Sequence, residues 1–246
     1  MVKSIKIFNK TDILALEIQE NLLQENRDGK MGAFKKAANF TDPSEGGQPK
    51  KIIELFGYKR NGTFLEAGGH DGIFFSNSLL LEVEYGWTGV LVEPQPGLFD
   101  SLLKKHRRVA GIQTCISTKP TKMKVQLVMS DSDSSAERGS SALKGGSIKV
   151  DGYSSTELSI NCYPLISILK ATGLTTLDVL FLDVQGIEVD ILKTVPWQEV
   201  NIKMIVLEIY GPPDVIAREK DAAMEVLGPL GYKFVTQVAI DYMFLK

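Results

Sequence analysis

The sequence predicts an α/β fold of the Rossmann-like type, in which helices cover both faces of a mostly parallel sheet. Three features predict it. Residues 63–82 read as a strand, a glycine-rich turn and a helix at 73–82, the opening unit of such a sheet. Residues 89–93 and 175–183 are nearly continuous apolar runs of the kind found in buried parallel strands, and each ends in a carboxylate. The C-terminal segments 231–235 and 238–245 alternate in polarity and predict two closing strands.

The segment before this unit predicts two helices and a linker. Residues 11–25 carry apolar positions at helical spacing after a Thr-Asp start, so they predict an amphipathic helix. Residues 27–47 are polar and glycine-bearing and predict a linker or lid. Residues 48–58 predict a helix that leads into the first strand. We therefore assign an N-terminal helix and lid to residues 1–47 and the main domain to residues 48–246.

The rest of the chain predicts further helices and strands around one long loop. The predicted helices are 94–105 and 163–171, and the predicted strands are 109–116, 122–130 and 202–209. Residues 131–155 are rich in Ser and Gly and predict an exposed, flexible loop. Loops on a rigid α/β scaffold commonly select the substrate, so we expect this loop to recognise the substrate.

The turn at residues 66–72 predicts a site for a nucleotide-like cofactor. Its glycines let the backbone approach a ligand without a Cβ clash. A helix that follows directly would offer unpaired N–H groups at its N-terminus. In such sheets the ligand lies in the crevice outside the carboxyl ends of the strands, which is where Glu66 ends the first strand.

Glu93 provides the second half of this signal, 27 residues after Glu66. A carboxylate at the end of the second strand can accept hydrogen bonds from both ribose hydroxyls of an adenosine. The alternative is that both acids are solvated and only terminate strands. Two such acids with glycines between them favour the cofactor site.

The glycine pattern favours an adenosyl cofactor over a nicotinamide dinucleotide. The dinucleotide fingerprint GxGxxG would fall on Ala67, Gly69 and Gly72, which puts alanine at the tight-turn position. The observed pattern resembles instead the first motif of S-adenosylmethionine-dependent methyltransferases. More narrowly, EAGGHDG (66–72), NSLLLE (77–82) and YGWTGVLVEPQP (85–96) resemble the FkbM family, and the Gly-Gly-Gln step at 46–48 resembles its animal-type members.

The FkbM resemblance spans residues 46–246 and implies a class I methyltransferase fold, with a seven-stranded mixed sheet whose last strand is antiparallel. It implies S-adenosyl-L-methionine as the cofactor and O-methylation of a hydroxyl on a small molecule or glycan. The residues that it assigns to cofactor binding are Gln48, Glu66, Gly68, Gly69, His70, Asp71, Gly72, Ser76, Asn77, Glu93, Pro94, Cys115, Ile116, Ser117 and Asp183.

The resemblance also places the reaction at the end of the fourth strand, where Asp183 would face the methyl group and act as general base. Glu188 and Glu208 are the further catalytic candidates. A hydroxyl is a poor nucleophile until its proton leaves, and a placed base adds about 10²- to 10⁴-fold. The residues assigned to the substrate are Ser140, Ser141 and Gln185, of which Gln185 replaces an acid of the family pattern.

A divalent metal is the less favoured alternative for these strand-end acids. Three neighbouring carboxylates could hold one, because such ions prefer oxygen ligands. The sequence lacks the dense Asp/Asn cluster that would favour this, so we expect no metal.

The charge balance excludes some partners. A formal net charge of −2 and a pI near 5.8 leave no basic footprint for nucleic acid. No stretch approaches the roughly 18 apolar residues of a membrane span. We therefore expect a soluble, cytoplasmic protein, or a secretory one if this sequence is a trimmed chain. The basic run at residues 104–108 is expected to stay solvated at the end of its helix.

The two cysteines leave two states open. Cys115 and Cys162 are too few for a multi-cysteine zinc site or a dense disulfide framework, and buried free thiols are the expected state. Sequons of the type Asn-x-Ser/Thr at Asn9, Asn39 and Asn61 favour the alternative, a secretory protein with a Cys115–Cys162 bridge.

Two other functions stay open. A catalytically silent module would keep the fold for recognition alone, and the replacement at Gln185 supports it. A nicotinamide-dependent oxidoreductase would need a second nucleotide half-site, which the chain does not show.

Overall fold

The computed structural model describes residues 10–21, 23–24, 40–130, 141–143 and 155–246. The strands, in chain order, are β1 (Leu23–Gln24), β2 (Thr63–Ala67), β3 (Thr88–Val92), β4 (Ala110–Ile112), β5 (Cys115–Ile116), β6 (Met123–Ser130), β7 (Ser141–Leu143), β8 (Ser155–Tyr163), β9 (Thr176–Leu182), β10 (Asn201–Glu208), β11 (Lys233–Val238) and β12 (Asp241–Leu245). The helices are α1 (Lys10–Asn21), α2 (Gln48–Leu55), α3 (Leu79–Tyr85), α4 (Pro96–Lys104), α5 (Leu165–Thr172), α6 (Glu188–Leu192) and α7 (Pro213–Leu227), with single 3₁₀ turns at Trp197–Glu199 and Gly228–Leu230.

The main sheet has eight strands in the order β1-β4-β3-β2-β9-β10-β12-β11. Strands β4, β3, β2, β9 and β10 are parallel to one another, whereas β12 is antiparallel to both of its neighbours. Apart from the two-residue edge strand β1, this is the predicted seven-stranded mixed sheet with an antiparallel last strand. The chain changes direction across the sheet between β2 and β9, and ligands of α/β sheets bind at such a switch point.

Helices cover both faces of the sheet, as predicted. Successive side chains of a strand point to opposite faces, so Leu65 enters one core and Phe64 the other. Helices α1, α5, α6 and α7 pack on the first face, and α2, α3 and α4 pack on the second. The strand ends are therefore held from both sides as a rigid platform.

The helix predicted directly after the glycine turn is wrong in its first half, because α3 begins only at Leu79. Asp71 Oδ1 accepts the backbone N–H groups of Ile73 and Phe74 at 2.9 and 2.8 Å, which closes a local turn. Phe75 then has a φ of 53°, in the left-handed region that a right-handed helix cannot contain. A loop, and not a helix N-terminus, therefore follows the glycine turn.

The strand predicted at residues 109–116 is divided between two sheets. Strand β4 ends at Ile112 in the main sheet, and β5 begins at Cys115 in a second sheet of order β5-β8-β6-β7. The Thr114 N–H bonds back to the Ile112 carbonyl at 3.1 Å, and this turn separates the two strands. Strand β6 confirms the strand predicted at residues 122–130.

The expected free thiols are wrong, because Cys115 and Cys162 form a disulfide. The two residues lie opposite one another in the parallel pair of β5 and β8, with Cα atoms 4.4 Å apart. The two cysteines are 47 residues apart in the sequence, and this separation does not indicate that they lie opposite one another in a sheet. The bridge fastens β8 to the segment that follows β4.

The remaining boundaries differ from the predictions by a few residues. Helix α1 ends at Asn21 and α2 at Leu55, each earlier than predicted. The loop predicted at residues 131–155 lies outside the described residues except for β7 and the start of β8. The substrate loop and the division of the chain at residue 47 stay predictions. Within the described ranges, no helix combines the length and apolar composition that a membrane crossing requires.

Candidate cofactor and catalytic site

A cavity of about 230 Å³ lies at the carboxyl ends of the central strands, in the predicted crevice. Its walls come from the segments after β2, β3, β9 and β10, together with the chain between β4 and β5. The parallel sheet thus brings distant parts of the sequence together. The predicted site residues that line the cavity are Glu66, Gly68, His70, Asn77, Glu93, Pro94, Cys115, Ile116, Asp183, Gln185 and Glu208.

The other predicted site residues do not line the cavity. Those outside its lining are Gln48, Gly69, Asp71, Gly72, Ser76, Ser117 and Glu188. Ser140 lies outside the described residues, and Ser141 belongs to β7 but its side chain is not described. The assigned roles of all these residues stay predictions.

Glu66 lines the cavity but uses both carboxylate oxygens within the protein. Oε1 accepts the Asn77 N–H at 2.7 Å. Oε2 accepts the Ser76 hydroxyl at 3.1 Å and also the Ser78 hydroxyl. Burial raises the pKa of Glu66, and the positive charge of Arg107 opposes that shift. Glu66 therefore fixes the loop between the glycine turn and α3.

The expectation that the basic run at residues 104–108 stays solvated is wrong for Arg107, because its side chain is only 1% exposed. Nε donates to Glu82 Oε2 at 2.9 Å, and Nη1 donates to the Gly72 carbonyl and the Ser76 hydroxyl. Nη2 donates to the Ser78 hydroxyl. One guanidinium thus joins α3 to the loop that precedes it. The missed signal was Glu82 itself, an acid that follows three leucines and needs a cationic partner once buried.

Glu93 is buried at the end of β3 and keeps capacity for a ligand. Its two carboxylate oxygens each accept one backbone N–H, from His70 at 2.9 Å and from Gln95 at 2.8 Å. A carboxylate oxygen accepts up to two hydrogen bonds, so each can take one more. Burial raises the pKa of Glu93 to about 7. Glu93 therefore joins its own strand end to the glycine turn and faces the cavity.

Gly68 allows the strand ends to come this close. Its φ is 91°, and a Cβ at this position would lie 2.3 Å from the Asp183 carbonyl oxygen. The N–H groups of Gly68 and Gly69 both donate to the Val92 carbonyl at 3.0 Å. The turn is thus bonded to β3 and pressed against the end of β9, which brings the strand-end carboxylates together.

A pair of carboxyl groups forms the wall at β9 and β10. Gln185 Nε2 donates to the carboxyl groups of both Asp183 and Glu208, at 3.1 and 3.3 Å, and so joins the two side chains. Gln185 Oε1 accepts the Tyr210 hydroxyl at 3.0 Å. Burial and the adjacent Asp183 charge raise the pKa of Glu208 far above its usual range, which favours its protonated form at neutral pH. An acid in place of Gln185 would add a third charge, whereas the amide bridges the pair.

Glu188 and Gln48 support neighbouring loops. Glu188 Oε1 accepts the N–H groups of Val184 and Gly186 at 2.9 and 3.2 Å, which fixes the turn after β9. Burial raises the pKa of Glu188 to about 7. Gln48 donates to the Asp241 carboxylate at the start of β12.

Two cavity side chains hold polar atoms without a partner in the described part of the chain. Asn77 Oδ1 and both ring nitrogens of His70 are buried and form no hydrogen bond. His70 Nδ1 approaches Asp71 only to 3.6 Å, which is beyond hydrogen-bonding distance. Buried polar atoms in native proteins nearly always have partners, so these atoms are available to a ligand.

Carboxyl groups are prominent among the side chains that line the cavity. No lysine or arginine is found among its described lining residues. A cavity of this kind favours a cationic ligand and disfavours an anionic one. In the described part of the chain, no group of three or more His, Cys, Asp or Glu side chains could hold a metal ion. The five lining carboxylates are Glu45, Glu66, Glu93, Asp183 and Glu208.

One protein family matches most of the chain. The sequence model of the methyltransferase FkbM domain matches residues 66–234. No curated protein sequence matches the chain.

Several solved structures are similar to it at low identity. A SAM-dependent methyltransferase from Aquifex aeolicus is 13% identical with a TM-score of 0.39, covering 85% of this chain and 91% of that one. A methyltransferase from Pyrococcus furiosus is 14% identical with a TM-score of 0.42, covering 97% and 99%. A SAM-dependent methyltransferase from Geobacter sulfurreducens in complex with S-adenosyl-L-homocysteine is 12% identical with a TM-score of 0.40, covering 82% and 70%.

Proposed function

We propose that this chain, which belongs to the methyltransferase FkbM domain family, transfers a methyl group from S-adenosylmethionine to a hydroxyl oxygen of a small-molecule or sugar acceptor. The observation that carries the proposal is the acidic cavity at the switch point of the sheet. The acceptor hydroxyl and the role of each residue below are part of the proposal.

The chemistry of the cavity fits this cofactor. When bound, S-adenosylmethionine supplies a methyl group that is attached to a positively charged sulfur. After the methyl group is transferred, the sulfur belongs to a neutral thioether, which is the leaving group. Carboxylates around the cavity stabilise a cation and repel the pyrophosphate of a nicotinamide dinucleotide. This contrast argues against the oxidoreductase alternative.

The order of the strand ends around the cavity supports an assignment of each part of the cofactor to one segment of the lining. We assign the adenine to the segment with Cys115 and Ile116, and the ribose hydroxyls to Glu93. We assign the amino-acid end to His70 and Asn77, because an imidazole N–H can donate to its carboxylate and Asn77 Oδ1 can accept from its ammonium. These contacts would satisfy the unpartnered atoms.

This assignment predicts a contrast between two ligands. His70→Ala and Asn77→Ala should each weaken binding of S-adenosylhomocysteine by about 10- to 150-fold, the loss of one charge-assisted hydrogen bond of about 1.5–3 kcal/mol. Binding of 5′-methylthioadenosine, which lacks the amino-acid end, should change by less than about twofold. Calorimetric titration measures both.

Leu127→Ala is the matched control for this contrast. Leu127 is a buried apolar residue of the cavity lining and has no polar group for the amino-acid end, so its truncation should weaken both ligands alike. Equal losses for both ligands in the His70 and Asn77 variants would contradict the assignment.

Asp183 is the residue that we assign as general base. Burial raises its pKa, which makes the carboxylate a stronger base, and the raised pKa of Glu208 favours a protonated neighbour beside it. Asp183 takes the proton of the acceptor hydroxyl while that oxygen bonds to the methyl carbon. Gln185 holds both carboxyl groups in place.

Methyl transfer from isotopically labelled S-adenosylmethionine to a panel of neutral hydroxyl compounds tests this function. Asp183→Asn should lower the rate by about 10²- to 10⁴-fold, because the side chain keeps its size but cannot take a proton. Binding of S-adenosylhomocysteine should change by less than about tenfold. Asp190 is an exposed acid on α6, so Asp190→Asn should alter neither the rate of methyl transfer nor the binding of S-adenosylhomocysteine.

The same assay separates the rival functions. An unchanged rate in Asp183→Asn would contradict the assigned base. Tight cofactor binding by the wild type with no product from any acceptor would favour the catalytically silent module, which the amide at Gln185 also supports.

A further inference from the structure

Asn61 is a surface residue before the start of β2, at the opposite end of the strands from the cavity. It is exposed in the turn between α2 and β2, and its backbone N–H donates to the Tyr85 carbonyl at 3.0 Å. Strand β2 spans five residues at about 3.3 Å each, so its start lies about 13 Å from the cavity end. A bulky group on Asn61 would therefore project into solvent and leave the cavity open.

Asn61, Gly62 and Thr63 form a sequon for N-linked glycosylation. Asn61 has a φ of 54°, a left-handed turn conformation that asparagine adopts more readily than most residues. The middle residue is fixed by packing, because a Cβ on Gly62 would lie 2.5 Å from the Trp87 ring. Asn61 is exposed, and its Oδ1 lies beside Gly86, where a Cβ would come within 2.9 Å of it. The asparagines of the other two sequons lie outside the described residues.

The disulfide is an independent observation that indicates the same environment. Cys115 and Cys162 are both buried and joined, and such bonds persist in oxidising compartments such as the lumen of the endoplasmic reticulum. N-linked glycans are attached to secreted proteins, which pass through that compartment. The sequon and the disulfide lie in different parts of the fold, so neither explains the other.

We infer that Asn61 carries an N-linked glycan and that the chain folds in an oxidising, glycosylating compartment. The inference does not depend on the proposed methyl transfer. It concerns a modification site at the opposite end of the strands from the cavity, so we expect the glycan to leave cofactor binding unchanged.

Translation of the full chain behind a cleavable secretion signal, in the presence of microsomes, tests the inference. On a denaturing gel, the wild type should show a step to lower mobility that glycosidase treatment removes. Asn61→Asp should lack this step, and Thr63→Ser should keep it. Aspartate tolerates the left-handed turn, and serine preserves the sequon. An equal number of steps in the wild type and Asn61→Asp would overturn the assignment of this site.

Peptide mapping of the same material without reductant tests the second half. A linked peptide pair containing Cys115 and Cys162 is the expected result. Two cysteines that react fully with an alkylating reagent in these oxidising microsomes would overturn the disulfide, and with it the argument for the assigned compartment.

Discussion

Arg107→Met is expected to lower the free energy of unfolding by about 3–5 kcal/mol, the loss typical of breaking a buried ion pair from one side. The guanidinium is buried and donates to Glu82, to a backbone carbonyl and to two serine hydroxyls. Its removal leaves the Glu82 carboxylate buried without this partner, and removes the positive charge that opposes the raised pKa of Glu66. Urea denaturation followed by circular dichroism measures the change.

Lys104→Met is the control, because this residue belongs to the same basic run but is exposed. It should change stability by no more than about 0.5 kcal/mol. A loss below about 1 kcal/mol in Arg107→Met would show that the network does not hold the loop before α3.

Glu93→Gln is expected to weaken binding of S-adenosylhomocysteine by about 10- to 150-fold, or about 1.5–3 kcal/mol. The carboxylate now accepts N–H groups from His70 and Gln95 on separate oxygens. An amide offers one oxygen and one N–H donor, so one backbone N–H loses its acceptor and the ribose loses a charged partner. Glu225→Gln, on the exposed face of α7, should bind like the wild type.

The pH dependence of S-adenosylhomocysteine binding should follow the ionisation of the Glu93 carboxyl group. Because burial raises its pKa to about 7, the carboxylate is ionised and accepting above that value and becomes protonated below it. The affinity for S-adenosylhomocysteine should therefore reach its full value near pH 8. It should be about tenfold lower at pH 6, where Glu93 is ionised in only about a tenth of the molecules. Glu93→Gln should lose most of this dependence, and an equally steep profile in that variant would assign it to another group.

The strand-end acids could be predicted from the sequence because their signal is local. An apolar run that ends in a carboxylate needs no knowledge of distant residues, so Glu93 and Asp183 were both identified at the cavity. The closing antiparallel strands were predicted for the same reason, from their alternation.

Features that depend on distant partners could not be predicted. Arg107 stands among exposed basic residues, and only the fold shows that it turns inward to Glu82. The disulfide depends on the register of β5 against β8, which the sequence does not encode locally. The late start of α3 goes with the turn that the Asp71 side chain closes and with the left-handed backbone of Phe75, in a segment where apolar spacing predicted a helix.

A crystal structure of the protein with S-adenosylhomocysteine tests the central claim most directly. The account predicts the adenosine in the cavity, the two ribose hydroxyls on the Glu93 carboxylate, and the amino-acid end at His70 and Asn77. An adenosine outside the cavity, or ribose hydroxyls bound elsewhere while Glu93 keeps only its two backbone partners, would contradict it.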